Sequence, residues 1–538
     1  MHPDDKRNAA ALLVLLLPVV AWLAAVRITE DIAHAQIGAL FTLAMLTASG
    51  ERPVLLAAFI AGLAVAILVV VLAAKGGTSQ FGGVAFRRHV RGTRVVSARR
   101  LAAIVRKRGG EQITVAGIPM PANIETLHLL VAGSTGAGKS VLIREMVYSA
   151  LLRGDRIIVA DPNGDMLSKF HRPRDIVLNP YDSRSVGWVF FNEIRKEYDW
   201  KRFALSIVPR GQTKEEEEWC SYARLLLRET ARKLALIGQP SIAQLFRWTT
   251  IEKPTELKAF LAGTAAESLF VGADKALASA RFVLSAKLPE HLSMPTGEFS
   301  LRSWLETPKA GNLFITWRED MAEALKPLIS AWVDVLCTSI LSLGEDRNRR
   351  IWLFLDELAS LENLPSLEDA ATKGRKAGLR VVAGLQSTAQ LEKIYGRDES
   401  QTLRSCFRSL VVLGGAKTDP KTCEDMSQSL GEHEVERDGY SRSRGFRGTS
   451  TSTHVQRTRE RVVLPSEIAG LPDLTGYLAF AGDYPIARVR LRIAQFRNRV
   501  PPFQERSDVR PHGPERQGAQ HPVPELARRM QEEPGTAC

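Results

Sequence analysis

The chain has 538 residues, of which 45% are hydrophobic and 24% charged, so it is a folded protein too long for one compact core. Its five cysteines are scattered, with no CxxC pair and no nearby histidine, which argues against a disulfide scaffold or a zinc site. The formal net charge is +13, but residues 75–110 contain ten Lys and Arg and no Asp or Glu. Most of the excess charge is therefore local.

Two uncharged apolar stretches, residues 9–26 and 53–74, predict a two-helix membrane anchor. The second would be about 33 Å long as a helix, enough to cross the hydrocarbon core. For the first stretch the alternative is a cleaved signal peptide, because Ala33-His34-Ala35 resembles a cleavage site. The charged segment "RITEDI" stands before that site, which favours a membrane span.

Basic residues flank this pair of spans on its outer sides. Lys6 and Arg7 precede the first span, residues 75–110 follow the second, and the connecting loop is mainly acidic. The positive-inside rule therefore predicts that both termini and the body of the protein lie in the cytoplasm, with a short loop on the other side of the membrane. The basic run is then first a topology and lipid-headgroup signal, and only second a DNA contact.

Beyond the anchor, the patterns predict a mixed, mainly parallel α/β sheet. A helical pattern covers residues 140–152, and another covers 321–343. From about 186 to 300 the apolar spacing is helical, which predicts an all-helical insertion. Strand patterns occur at 112–116, 128–132, 156–165, 312–317, 351–357, 379–386 and 409–415.

These patterns divide the chain into five predicted segments. Residues 433–463 alternate around a Gly/Ser/Arg-rich middle and predict a hairpin with a long loop, while 496–538 contain seven prolines and predict a disordered tail. The segments are a membrane hairpin (1–75), two parts of a nucleotide-binding domain (76–185 and 301–495), the all-helical insertion between those parts (186–300), and the tail (496–538).

A glycine-rich loop follows the apolar run "LLVA" and precedes a helical pattern. Glycines there let backbone N–H groups turn inward around phosphate oxygens, a lysine reaches the β- and γ-phosphates, and a serine hydroxyl binds Mg²⁺. The loop therefore predicts a site for the phosphates of a nucleotide. Its residues are Gly133, Ser134, Thr135, Gly136, Ala137, Gly138, Lys139 and Ser140, which match GxxxxGK[ST] in full.

Two carboxylates end the buried strand pattern "IWLFLDE". Asp356 is predicted to bind Mg²⁺ and Glu357 to polarise the attacking water. The alternative is that the two acids cap a following helix. The adjacent glutamate favours an enzyme that hydrolyses a nucleoside triphosphate over a slow nucleotide switch.

Three further polar residues are candidates for this site. Gln386 ends the strand "LRVVAGLQ" and could sense the γ-phosphate, or be a loop glutamine. Arg375 lies on the basic turn "TKGRKAG" and is a candidate arginine finger into a neighbouring subunit, or a solvated residue. Asp161 ends the strand in "VADPNGD", near the expected crevice.

The combination of two N-terminal spans, "GSTGAGKS", "VADPNGD", a helical insertion, "FLDELASL" and "GLQS" resembles the type IV coupling proteins of bacterial conjugation, the TraD/TrwB group. The resemblance implies a RecA-like, membrane-anchored homo-hexamer that hydrolyses ATP with Mg²⁺. It implies that a relaxase-bound single strand is driven into a type IV secretion channel, with the helical insertion facing the relaxosome. It also implies that the spans contact inner-membrane components of that channel.

DNA contact has one local candidate, residues 437–461, with seven arginines and the possible stacking residues Tyr440 and Phe446. A flexible solvated loop is the alternative. No base-specific pattern is present, so binding to single- or double-stranded DNA is expected to be salt-sensitive and independent of sequence. Two rival functions are an FtsK-like DNA translocase and a nucleotide-binding membrane receptor that docks secretion substrates without pumping.

Overall fold

The computed structural model describes residues 3–29, 37–77, 86–107, 111–271, 274–308, 310–346, 348–445 and 448–507. The chain forms two compact units. The first consists of Met1–Arg88 and Val435–Thr458, and the second of His89–Glu434 and Arg459–Cys538.

The strands are numbered in chain order as β1 Arg88–Gly92, β2 Val95–Ser97, β3 Thr114–Val115, β4 Ile118–Pro119, β5 Leu129–Ala132, β6 Arg156–Pro162, β7 Ile176–Leu178, β8 Leu313–Trp317, β9 Ile351–Leu355, β10 Leu379–Leu385, β11 Ser409–Leu413, β12 Glu432–Gly445, β13 Gly448–Arg461, β14 Thr475–Ala479 and β15 Ile486–Arg490.

The helices are α1 Pro3–Thr29, α2 Ile37–Ala48, α3 Pro53–Gly77, α4 Ala98–Val105, α5 Lys139–Arg153, α6 Asp165–Phe170, α7 Glu197–Ile207, α8 Lys214–Leu236, α9 Ile242–Phe246, α10 Pro254–Phe260, α11 Asp274–Lys287, α12 Pro289–Leu292, α13 Leu301–Glu306, α14 Ala322–Leu341, α15 Leu367–Lys373, α16 Thr388–Tyr395, α17 Arg397–Ser405, α18 Pro420–Leu430 and α19 Pro465–Ala469.

In the first unit, α1 and α3 pack closely against each other. A Cβ atom added at Gly62 of α3 would lie 2.8 Å from the Cβ of Ala21 and 2.9 Å from the Cα of Pro18 in α1, so the glycine permits the close approach that small residues give apolar helices. The loop predicted between the spans is instead partly helical, because Ile37–Ala48 forms the apolar helix α2. That segment is too short to cross a membrane on its own.

Among the described residues, two helices are long and apolar enough to cross a membrane: Pro53–Val71 and Glu319–Leu341. The first is largely exposed, as the predicted second span requires, and Val14–Thr29 of α1 is a shorter apolar helix. The second window consists of a short turn and all of α14, whose residues from Leu328 to Cys337 are buried. This helix is the core helix of the second unit.

The second unit contains a ten-stranded sheet in the order β2-β15-β14-β11-β5-β10-β9-β6-β8-β7. The strands from β11 to β7 run parallel, whereas β14 is antiparallel to β11 and to β15. The predicted mixed, mainly parallel sheet is therefore confirmed. Parallel strands place their carboxyl ends along one edge, where α/β proteins bind ligands.

Both faces of this sheet are covered, which explains its uninterrupted apolar strands. Along β5, Leu130 and Ala132 belong to one core and Leu129 and Val131 to the other. The helix α14 packs into the first core, whereas α5 packs into the second. The glycine-rich loop therefore leaves a strand that is fixed from both sides.

Residues 186–300 are called the helical region, and the helices of the second unit from α7 to α12 lie within it. Its acidic run "KEEEEW" begins α8, where Thr213 caps the helix by accepting from the Glu216 N–H at 3.1 Å. Carboxylates in a first helical turn are stabilised by the helix dipole, so the acidic run has a structural explanation. The division of the chain into five segments stays a prediction.

The predicted hairpin is present, but its long loop is not. Strand β12 extends to Gly445 and β13 begins at Gly448, so the Arg-rich middle is mostly strand. Ion pairs made by the described side chains of the hairpin include Arg457 with Glu436, Arg459 with Glu432, and Arg461 with Glu424. The side chains of residues 440–453, with Tyr440 and Phe446, lie outside the described residues.

The prediction of a disordered tail from residue 496 is wrong for residues 496–507. The Arg499 N–H donates to the Ser168 carbonyl at 2.7 Å, and the Arg506 N–H donates to the Tyr181 carbonyl at 3.0 Å. The ring of Phe496 packs 4.9 Å from that of Tyr148 and 5.0 Å from that of Phe170. These contacts compensate for the lack of regular structure. The rest of the predicted tail lies outside the described residues.

Candidate nucleotide site

The glycine-rich loop connects β5 to α5 at the carboxyl edge of the sheet. The Gly133 N–H donates to the Leu385 carbonyl at 3.0 Å, and the Ser134 N–H donates to the Gly414 carbonyl at 2.8 Å. Leu385 ends β10 and Gly414 follows β11, and these two strands lie on either side of β5. The loop is thus held in place by both neighbouring strands.

Two glycines of the loop have backbone angles that other residues rarely adopt. Gly136 has φ +80° and Gly138 has φ +113°. A Cβ atom at Gly138 would also lie 2.9 Å from methyl carbons of Leu474 and Leu491, so this position needs glycine. Because α5 begins at Lys139, its first N–H groups have no partner within the helix and face the loop as an anion-binding end.

The Lys139 side chain lies inside the loop and is only 8% exposed. Its Nζ donates to the Gly133 carbonyl at 2.9 Å and to the Ser134 carbonyl at 3.3 Å, and lies 4.0 Å from Glu357 Oε2. Burial lowers the pKa of Lys139, while the charges of Glu357 and Asp356 act in the opposite direction. A buried cation with neutral carbonyl partners is positioned to bind an anion.

The predicted magnesium ligands are in contact. The Ser140 hydroxyl donates to Asp356 Oδ2 at 2.8 Å, while Asp356 Oδ1 and Glu357 Oε2 are buried without a hydrogen-bond partner among the described residues. Burial raises the pKa of both carboxyl groups. Buried carboxylate oxygens that no protein group satisfies, beside a serine hydroxyl, fit Mg²⁺ and its bound water.

Gln386 is also brought to this site, since Thr135 Oγ1 donates to Gln386 Oε1 at 3.1 Å. Arg375 is not: its side chain is exposed, and its Nε donates to the Thr372 carbonyl at 3.2 Å. Asp161 is buried, and its oxygens accept from the Met166 and Leu167 N–H groups, which begin α6. Burial raises the pKa of Asp161 to about 7. The direct contacts of Asp161 are therefore structural, and its part in nucleotide binding stays a prediction.

Two features of the site are not indicated by the sequence motifs. Arg144 donates to Asp165 at 3.0 Å through Nε, and the charges of both residues act on Asp356. Gly384 lies beside the carboxylate strand, and a Cβ atom there would be 1.9 Å from the Asp356 carbonyl oxygen. The sequence signal for the Gly384 contact was a glycine within a strand of mostly larger residues. Such a glycine indicates that another part of the backbone comes close.

Replacing Gly384 with alanine is expected to lower the free energy of unfolding by about 1–3 kcal/mol, as overpacking does in tight cores, and to reduce ATP turnover by displacing Asp356. Urea unfolding and phosphate release would measure the two effects. Gly344→Ala is the matched control, because a Cβ atom at Gly344 meets nothing within 4 Å. Equal stability and turnover in both variants would contradict the close approach of β10 to Asp356.

The family model described as "type IV secretion-system coupling protein DNA-binding domain" matches residues 112–492. The coupling protein TraD of Escherichia coli (strain K12) is 31% identical over 436 residues, covering 76% of this chain and 59% of TraD. The conjugal transfer protein TraG of Agrobacterium fabrum is 25% identical over 392 residues, covering 67% of this chain and 59% of TraG. The chain thus spans about three fifths of the length of these relatives.

Solved structures of a bacterial conjugative coupling protein are also similar. The unbound form of TrwBdeltaN70 has 65% sequence identity and a TM-score of 0.77, covering 80% of this chain and 99% of that one. TrwB in complex with ADP and Mg²⁺ has 65% identity and a TM-score of 0.75, covering 80% and 100% of the two chains. TrwB in complex with the ATP analogue ADPNP is 64% identical over the same coverage, also with a TM-score of 0.75.

Proposed function

The chain belongs to the family of type IV secretion-system coupling proteins, and we propose that it is a membrane-anchored ATPase that drives single-stranded DNA into a secretion channel during conjugation. The observation that carries this proposal is the contact of Lys139, Ser140, Asp356 and Glu357 around one loop. It is supported by the ADP, Mg²⁺ and ADPNP complexes of TrwB, which is 64–65% identical.

Each residue at the loop has a role in this proposal. The N–H groups that begin α5 and the Lys139 ammonium hold the β- and γ-phosphates. Ser140 and Asp356 hold Mg²⁺, which neutralises charge on the phosphates. Glu357 orients the attacking water and accepts its proton, a task favoured by the raised pKa that burial gives this carboxyl group. Gln386, held by Thr135, senses the γ-phosphate.

Assembly into a homo-hexamer gives Arg375 its role. Its guanidinium is exposed and donates to the Thr372 carbonyl in the same turn. The group is therefore accessible to a neighbouring subunit. A positive charge supplied in trans stabilises the charge that develops on the γ-phosphate. The remaining partners of the proposal are the relaxase-bound strand, inner-membrane components of the secretion channel, and the lipids around α1 and α3. The proposed location is the bacterial inner membrane, with both termini in the cytoplasm.

The test is ATP turnover by the full chain in detergent or nanodiscs, with and without single-stranded DNA. A motor is expected to hydrolyse ATP faster when DNA is bound, with the stimulation decreasing as salt rises. A receptor that binds nucleotide only to dock substrates would give a turnover that DNA does not change at any salt or protein concentration. That outcome would overturn the motor and favour the receptor.

A further inference from the structure

A large cavity lies at the amino edge of the sheet, opposite the nucleotide site. Its volume is about 980 Å³, and it is lined by the residues that begin or precede β6, β7, β8 and β9. Six arginines and four carboxylates line it: Arg153, Arg156, Arg172, Arg174, Arg349 and Arg350, with Asp155, Asp175, Glu306 and Asp346. We call it the arginine cavity.

Three of the four carboxylates are already neutralised. Asp155 accepts two hydrogen bonds from Arg153 Nε, at 3.0 and 3.1 Å. Glu306 pairs with Arg195 outside the cavity at 2.7 Å, and Asp346 lies 3.9 Å from Arg349. The fourth, Asp175, accepts from neutral groups, the backbone and side-chain amides of Asn312. Six arginines against four carboxylates leave a formal excess of two positive charges in the lining.

Four arginines carry this excess charge. Within the described part of the chain, no carboxylate pairs with the side chains of Arg156, Arg172 or Arg174, and Arg350 reaches the already occupied Asp155 only at 3.6 Å. The Arg156 guanidinium donates instead to the carbonyl groups of Trp304, Leu305 and Thr307. These are neutral acceptors, so the positive charge of Arg156 stays in the cavity.

The pKa and the surroundings of Arg156 also indicate a positively charged site. Burial lowers its pKa, and the like charge of Arg349 lowers it further. Its guanidinium is also held 5.1 Å from the centre of the Trp304 ring. Cations held close together at a partly buried site are stabilised by an anion that bridges them. The guanidinium groups of Arg172 and Arg174 are exposed; apart from the Arg172 Nη2 bond to the Leu151 carbonyl at 3.5 Å, their N–H groups can donate to such an anion.

We propose that the arginine cavity binds the phosphodiester backbone of single-stranded nucleic acid, a site that deepens the DNA-transfer function proposed above and rests on it. The cavity lies within residues 112–492, which match a family model described as a DNA-binding domain. None of its lining residues is an exposed large hydrophobic side chain, so it lacks the apolar contacts that a membrane surface would use. Its donors are guanidinium groups, which bind phosphate without reading base sequence.

The test uses the full chain with Arg172→Gln and Arg174→Gln combined, which removes two charges without touching the nucleotide site. The probe is a fluorescent oligothymidine strand, with anisotropy measured over a range of salt concentrations. Each lost phosphate contact removes about 0.7 from the slope of log K against log salt, so the slope is expected to fall by about 1.4. The Kd is expected to rise several-fold for every base composition.

The matched control is Lys201→Gln with Lys258→Gln, two exposed cations of the helical region, which removes the same charge and should leave the Kd nearly unchanged. DNA affinity and slope equal to wild type in the arginine variant would overturn the cavity site. So would unchanged DNA binding with weaker binding to vesicles of anionic phospholipid, which would assign the cavity to lipid headgroups. Wild-type protein whose ATP turnover ignores DNA would instead overturn the proposed function.

Discussion

Replacing Lys139 with threonine is expected to abolish ATP turnover while leaving the protein folded and inserted in the membrane. The ammonium group lies within the loop, 2.9 Å from the Gly133 carbonyl and 4.0 Å from Glu357 Oε2, so its loss removes the cation that would contact the transferred phosphate. Removing one such preorganised group costs roughly 100-fold to 1,000-fold in rate. Phosphate release by purified protein would measure the loss.

The control for Lys139→Thr is Lys373→Thr, which changes an exposed lysine at the end of α15 that pairs with Asp369. Exposed ion pairs contribute about 0–1 kcal/mol, so the control should keep near-normal turnover. Membrane fractionation should find both variants in the membrane. Loss of insertion by Lys139→Thr alone would contradict the expectation that the anchor inserts independently of the nucleotide site.

Glu357→Gln is expected to separate ATP binding from hydrolysis. Glutamine keeps the size of the side chain but cannot accept a proton, and losing a general base slows a reaction by about 100-fold to 10,000-fold. The phosphate contacts of the loop and Lys139 remain, so the Kd for a fluorescent ATP analogue should change little. Single-turnover hydrolysis and equilibrium binding would measure the two quantities on the same sample.

Glu368→Gln provides the matched control, because Glu368 is exposed on α15 and its change should leave both quantities at the wild-type value. Turnover retained in Glu357→Gln would show that another group activates the water. A large loss of ATP affinity would instead show that Glu357 helps to hold the nucleotide. Either outcome would remove the role proposed for this carboxylate.

The sheet and the nucleotide loop could be predicted from the sequence because their signals are local and strong. Each buried parallel strand is a short apolar run, and the loop is a full GxxxxGK[ST] match followed by a helix. The resemblance to type IV coupling proteins rested on these motifs and is confirmed by the match of the family model to residues 112–492. The contact between Ser140 and Asp356 followed from two strand ends that meet at one sheet edge.

The features that could not be predicted depend on contacts between residues that lie far apart in the sequence. Residues 496–507 are rich in proline and charge, yet they are ordered by hydrogen bonds to residues such as Ser168 and Tyr181, far earlier in the chain. The need for glycine at position 384 arises only once β10 lies beside Asp356. The helix α2 was not predicted, because a 12-residue apolar segment is too short to be identified as a membrane span.

The segment 499–506 joins two parts of the second unit that lie far apart in the sequence. It touches the turn that carries Asp165, since a Cβ atom at Gly164 would lie 2.1 Å from the Pro502 carbonyl. It also touches the end of the helical region, because Arg506 Nη1 donates to the Ser293 carbonyl at 3.1 Å. This segment therefore connects the helical region to the carboxyl edge of the sheet, in addition to the points where the chain enters and leaves that region. Separating the helical region from that edge would require breaking these contacts as well as others that join it to the core, such as the Ser206 hydroxyl donating to Asp334 Oδ2 at 2.6 Å, so the segment adds mechanical stability to the junction.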